Sequence, residues 1–239
     1  MSRRIGLIVP SSNVTMEDEL PELFRRRPEN FTFHSARMRM TTVSAEALAA
    51  MNQHGDRCAV ELADADCDVL AYACLVAVMA SGPGAHQSAA TRLAAAAGGE
   101  TPVVTSAGAL IEGIRALGAR RVAMITPYAP ALTGAVIDYL ADAGIEVVDS
   151  ISLGVTDNRA VGRLDPASLV PLTDQLDLTR AEALVLSACV QMPSLPAIES
   201  AQHRTGLPTL SAATATARSL CSALGLDPAI PGAGALLAA

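Results

Sequence analysis

Tryptophan is absent from this chain, and aromatic residues make up only 3% of it. That leaves few ring faces on which nucleic-acid bases stack. Basic charge is also short: 17 Lys and Arg stand against 24 Asp and Glu, for a net charge of −7. No basic domain offers itself to a phosphate backbone, so we expect no nucleic-acid partner. No uninterrupted apolar run approaches the ~20 residues of a membrane span. The run behind the basic start, Ile5–Val9, stops at Pro10, short of the ~7–15 apolar residues of a secretion leader. The cysteines, Cys58, Cys67, Cys74, Cys189 and Cys221, are odd in number and lack Cys-X-X-Cys spacing. A disulfide framework is therefore not expected, and reduced thiols in a cytoplasmic protein are. His-X-X-Glu-His, clustered Cys/His, a Walker loop and a Gly-X-Gly-X-X-Gly after the first strand are all missing. Neither a metal nor a nucleotide is expected, and no cofactor is assigned.

Short buried strands alternating with helices are what the 239 residues do contain. Arg4–Val9 reads as a first strand. Thr15 stands as a helix cap with acids behind it, and that helix should run to about Arg27. Phe31–Met40 is a second strand, and Ser44 caps a long helix through Ala65. Asp68–Ala73 is a third strand, followed by an Ala-rich helix and a short fourth strand at Pro102–Val104. The pattern then restarts at Arg121–Thr126. A helix at 131–143, a strand at 145–153, a helix opened by Asp165-Pro166, a strand at 183–187, a helix from Ser194 and a strand at 208–210 follow. The spacing from Ile5 to Cys74 agrees within two residues with that from Val122 to Cys189. One β-α-β-α-β-α-β unit used twice explains this. The fold class is α/β: two similar Rossmann-like lobes, each a four-stranded parallel sheet flanked by helices and related by a pseudo-twofold. The first lobe is expected to take residues 1–105 plus 211–239, the second 106–210, with the active site in the cleft between them.

Two stretches carry the chemistry. Asp68-Val-Leu-Ala-Tyr-Ala-Cys74 and Glu182-Ala-Leu-Val-Leu-Ser-Ala-Cys189 each deliver a thiol to the carboxyl end of a buried strand, where ligands sit in open parallel sheets. A thiol facing loop N–H groups can be held as thiolate, a strong nucleophile toward electron-poor carbon. Two thiols flanking one ligand can instead act as base and acid on its two faces. Asn13, after Pro10-Ser-Ser, and Tyr128, in the matching place of the second half, offer uncharged donors. Asn158 does so from an Asp-Asn loop. Ser11, Ser12, Thr105, Ser106, Thr126 and Ser187 add hydroxyls at strand ends. The four histidines are scattered and receive no role, although His86 could approach Cys74.

Taken together, Ile5-Gly-Leu-Ile-Val-Pro-Ser-Ser-Asn-Val-Thr15, Phe33-His-Ser-Ala-Arg-Met-Arg-Met40, Tyr72-Ala-Cys-Leu-Val-Ala-Val78, Thr126-Pro-Tyr128, Asp157-Asn158 and Cys189-Val-Gln-Met-Pro-Ser-Leu-Pro196 resemble the aspartate/glutamate racemase superfamily. Within it they are most similar to the maleate cis–trans isomerase branch. The resemblance covers nearly the whole chain. It implies a cofactor-free enzyme that adds Cys74 to the double bond of maleate, with Cys189 as its partner. Asn13, Tyr128 and Asn158 are then carboxylate donors, and Leu75, Val76 and Val190 are further substrate contacts. The related arylmalonate decarboxylases keep a cysteine in the second lobe but have no thiol in the place of Cys74, which argues against that activity. The expected partner is a small dicarboxylate, and the expected assembly is a homodimer. A racemase using the thiols as an acid/base pair, and a two-lobed dicarboxylate-binding protein without catalysis, are the alternatives.

Overall fold

Apolar runs too short for helices and buried on both faces become the central strands of parallel sheets, and here they are flanked by half-buried edge strands. A computed structural model describes residues 2–40, 51 and 54–238. Strands β1 (Arg3–Pro10), β2 (Phe31–Met38), β3 (Val69–Tyr72) and β4 (Val103–Thr105) form one sheet in the order β2-β1-β3-β4. Strands β5 (Arg121–Thr126), β6 (Glu146–Ser152), β7 (Ala183–Ser187) and β8 (Thr209–Ser211) form a second in the order β6-β5-β7-β8. Every pairing is parallel, as expected from the alternation of strands and helices. In each half the order reverses beside the first strand. The chain goes to one side of β1 for β2 and returns to the other for β3, and β5 is flanked in the same way by β6 and β7. The carboxyl ends of β1 and β3, and of β5 and β7, are therefore the switch points where parallel sheets open a crevice.

The central strands are fully sequestered. Val69–Tyr72 and Ala183–Ser187 are buried throughout. Gly6 in β1 lets the helix Gly55–Asp64 and the neighbouring strand close in: a Cβ there would stand 2.5 Å from Leu70 Cδ2 and 3.1 Å from Leu62 Cδ1. The helices Ser106–Ala116 and Ala212–Ala223 pack on each other. Gly113 provides the room, since a Cβ on it would meet the Ala215 methyl at 3.1 Å. The helix Ala212–Ala223 also packs on the helix Thr15–Phe24 and on β3, β4 and β8.

Several local expectations shift. Thr15 does not cap the first helix. Val14 holds that position without a side-chain bond, and the Thr15 hydroxyl donates instead to the Gln191 carbonyl at 2.8 Å. That helix ends at Phe24, before Arg27, and runs through Pro21. β2 stops at Met38. The helix after β2 is described over Gly55–Asp64, and its cap at Ser44 lies outside the described residues. The segment opened by Asp165 is a single 3-10 turn, Pro166–Ser168, followed by the short helix Leu169–Leu172. A short helix, Leu75–Met79, begins directly behind Cys74 and was not expected.

Candidate active site

Each cysteine follows its strand by two residues, and the same backbone bond fixes both. Ala73 N–H donates to the Ile8 carbonyl at 2.9 Å, and Ala188 N–H donates to the Ile125 carbonyl at 3.0 Å. The ladder is thus carried one residue past β3 and β7, and the chain then breaks away. Cys74 (φ −140°, ψ 89°) is the first non-helical residue before Leu75–Met79, so Leu75 and Val76 open that helix with N–H groups that its ladder leaves unpaired. Around Cys189 a loop forms instead. The Ser187 hydroxyl donates to the carbonyls of Cys189 (2.8 Å) and Met192 (3.3 Å), closing the turn from within. Gln191 N–H donates to Cys189 Sγ at 3.3 Å.

The two thiols are 3% and 6% exposed, which makes the site closed. Burial pushes Cys74 up to about 12, a backbone N–H contact from Ala77 works against it, and the charge of Cys189 raises it further. Cys189 is likewise raised by burial, offset by the Tyr128 hydroxyl and the N–H groups of Gln191 and Met192. In this closed arrangement desolvation outweighs the local donors, and both thiols are raised. The two sulfurs lie within electrostatic reach of each other. The Tyr128 hydroxyl lies close enough to both cysteines that the charge of either raises it. Burial, first of all, holds its hydroxyl well above the ordinary range, so it stays a donor.

Asn13, Asn158 and Val190 join this centre through a network across the two halves. Asn13 is fully buried. Its amide N–H donates to the Val190 carbonyl at 3.3 Å, and its Oδ1 accepts from Met16 N–H at 3.2 Å. Asn158, half-buried, donates to Ser12 Oγ at 2.9 Å. Gln191 ties them together. Its Oε1 accepts from Ser12 Oγ at 3.4 Å, and its Nε2 donates to the Ser12 and Asn158 carbonyls. Sequence reasoning assigned no role to Gln191, Glu19 or the Thr15 hydroxyl as a strap. The only signal was the polar pair Gln191 and Ser194 inside the second cysteine loop. The remaining strand-end hydroxyls serve the scaffold. Ser11 bonds Met40, Thr126 bonds Thr133, Thr105 accepts from Gly108 N–H and Ser106 accepts from Thr216. His86 bonds Tyr139. Cys58, Cys67 and Cys221 are buried free thiols.

Among the described residues, no group of three or more His, Cys, Asp or Glu is placed to hold a metal ion. No helix among them is long and apolar enough to cross a membrane. The family model described as arylmalonate decarboxylase matches residues 5–237. A maleate isomerase of Geobacillus stearothermophilus is 55% identical, over 98% of this chain and 96% of its own. A maleate isomerase of Pseudomonas putida S16, solved with maleate, superposes with a TM-score of 0.97 at 49% identity, covering 99% of this chain and 98% of that one. A Nocardia farcinica maleate cis–trans isomerase variant with one cysteine replaced by serine, solved with a covalently bound succinylcysteine intermediate, gives 0.96 at 51% identity over 99% and 98%.

Proposed function

From its membership of the arylmalonate decarboxylase family, and of the maleate isomerases within reach of 55% identity, we infer that this chain converts maleate to fumarate. It is an isomerase whose chemistry runs on cysteine. The observation that carries the reading is the pair of buried thiols at equivalent strand ends, close enough that the charge of Cys189 acts on Cys74 and the charges of both act on Tyr128.

Rotation about the central bond of maleate requires that bond to become single. The sulfur of Cys74, as thiolate, forms a C–S bond to one alkene carbon. The π pair moves to the other carbon and is delocalised into its carboxylate. Cys189 gives its proton to that carbon, leaving a succinyl thioether on Cys74 and a thiolate on Cys189. After rotation Cys189 takes the proton back, the C–S bond breaks toward Cys74, and fumarate departs. The succinylcysteine trapped in the cysteine-to-serine variant of the Nocardia relative supports covalent addition of a cysteine to the substrate. Because burial holds Cys74 as a neutral thiol here, it releases its proton to solvent as maleate enters and regains one after fumarate leaves. Tyr128, Asn13, Asn158 and the N–H groups of Leu75, Val76 and Val190 are proposed to grip the carboxylates. Fixed uncharged donors of this kind are worth about 3 kcal/mol each when charge develops on oxygen.

The lobes are assigned as 1–105 with 211–239, and 106–210. The packing of the helix Ala212–Ala223 on the helix Thr15–Phe24 supports the first grouping. A reaction that needs two reduced thiols suits the cytoplasm. A homodimer, twice the chain mass of 24.5 kDa, is testable by light scattering. The decisive test is proton NMR of maleate incubated with pure protein. The vinyl signal of maleate gives way to that of fumarate; maleate left unchanged by active-concentration protein overturns the reading.

A further inference from the structure

We propose that Glu19 is a positioning residue for the second thiol, gripping from the first sheet's helix the loop that carries Cys189. Glu19 is 6% exposed. Its Oε1 accepts from Ser194 N–H at 2.5 Å and Leu195 N–H at 2.7 Å, across 175 and 176 residues of chain. The loop has few other handles. Pro193 and Pro196 carry no N–H, so Ser194 and Leu195 are the consecutive free donors between them, and both go to this one oxygen. Thr15 and Glu19 are four residues apart on one helical face, and Thr15 bonds the same loop at the Gln191 carbonyl. Asn13, just before the helix, bonds it at Val190. The Cys189 loop is therefore fastened at Val190, Gln191, Ser194 and Leu195 to one short segment of the other half.

A buried carboxylate is a poor way to gain stability, since well-packed apolar side chains do as well or better. Glu19 Oε2 and Ser194 Oγ are buried without a well-formed hydrogen bond, and burial raises the Glu19 carboxyl against the pull of the Leu195 and Ser194 N–H groups and the Ser194 hydroxyl. What the carboxylate does supply is placement. Gln191 N–H reaches Cys189 Sγ from within the fastened loop, so releasing Ser194 and Leu195 moves the sulfur.

The kinetic arm of the test rests on the isomerase reading; the labelling arm does not. Glu19→Leu is expected to lower kcat by about 100-fold with KM within about threefold, as small misplacements of a reacting group do. Labelling with iodoacetamide, followed peptide by peptide by mass spectrometry, should change for Cys189 by about tenfold relative to Cys74, whose surroundings Glu19 does not touch. Glu19→Gln keeps the acceptor oxygen and should retain both properties, its new N–H₂ facing Ser194 Oγ. Glu19→Asp keeps the charge but falls a methylene short and should lose them. If Glu19→Leu fails to fold, the Gln and Asp pair decides. Loss in Gln with retention in Asp overturns the proposal in favour of a charge role. Equal changes at both cysteines, or none at Cys189, overturn it as well.

Discussion

Cys74 and Cys189 share a sequence setting but not a set of partners. Cys74 opens a helix without a side-chain cap hydrogen bond, and the Ala77 N–H only tempers the rise that burial gives it. Cys189 accepts from Gln191 N–H, and the Tyr128 hydroxyl and neighbouring N–H groups offset its burial. The better-solvated sulfur suits the role of proton carrier, and the barer one that of nucleophile. Cys74→Ala should reduce turnover to background, and Cys189→Ser should lower kcat by about 10²–10⁴, the usual worth of a general acid. Mass spectrometry should then find the substrate adduct on Cys74 alone. The thiol shift also has a stability consequence. Cys74 is raised from 9.0 to about 12, so the folded chain keeps a proton that the unfolded chain has lost. Its contribution is complete below about pH 9 and fades as pH rises toward about 12. The urea midpoint of the wild type should therefore fall more between about pH 8 and 10.5 than that of Cys74→Ala. Both thiols were legible in sequence because each ends an apolar run in a repeated unit. Their protonation state was not, because a strand end says nothing about how tightly the opposite half closes over it. Gln191 was illegible for a related reason: its partner Ser12 lies 179 residues away.

Elements were legible wherever a buried run was bounded by polar turns; β7 is Ala183–Ser187, as read from sequence. They were less legible where tertiary bonds replaced local ones. Thr15 looks like a cap by residue type, yet its hydroxyl serves the far loop. The helix Leu75–Met79 is short and wholly buried, so its apolar composition hid its period. The helices Ser106–Ala116 and Ala212–Ala223 are capped by strand-end residues of the same kind. Thr105 accepts from Gly108 N–H, and Ser211 forms a reciprocal box with Thr214. The box is buried, so its loss leaves N–H groups without water. Ser211→Ala should cost about 1–2 kcal/mol, read as a lower urea midpoint with an unchanged slope. Gly113→Ala should cost a similar ~1–3 kcal/mol by overpacking, since Ala215, Leu210 and Leu236 already surround the place of its Cβ.

At the scale of the whole molecule, the doubled unit was readable because its two copies keep their spacing, whereas the bonds between the halves were not. One such bond, outside the thiol centre, joins the helix Ala85–Ala96 to the helix Pro130–Asp142. Tyr139 OH accepts from His86 N–H at 3.0 Å and meets His86 Nδ1 at 2.7 Å. While its oxygen accepts from the backbone, the hydroxyl can give its proton to Nδ1 of a neutral ring whose hydrogen is on Nε2. A second proton on the ring removes that acceptor. Burial lowers the His86 pKa, Glu112 opposes this, and Arg115 adds to it. The folded chain thus takes up the proton less readily than the unfolded one, so the stability His86 lends is present above about pH 6.5 and is lost as pH falls. Glu19, raised by burial, acts with the opposite sign at acid pH, which calls for a difference measurement. The drop in melting temperature between about pH 7.5 and 5.5 should be smaller in His86→Gln than in the wild type. Equal drops in the two proteins would show that the bond between the halves does not titrate.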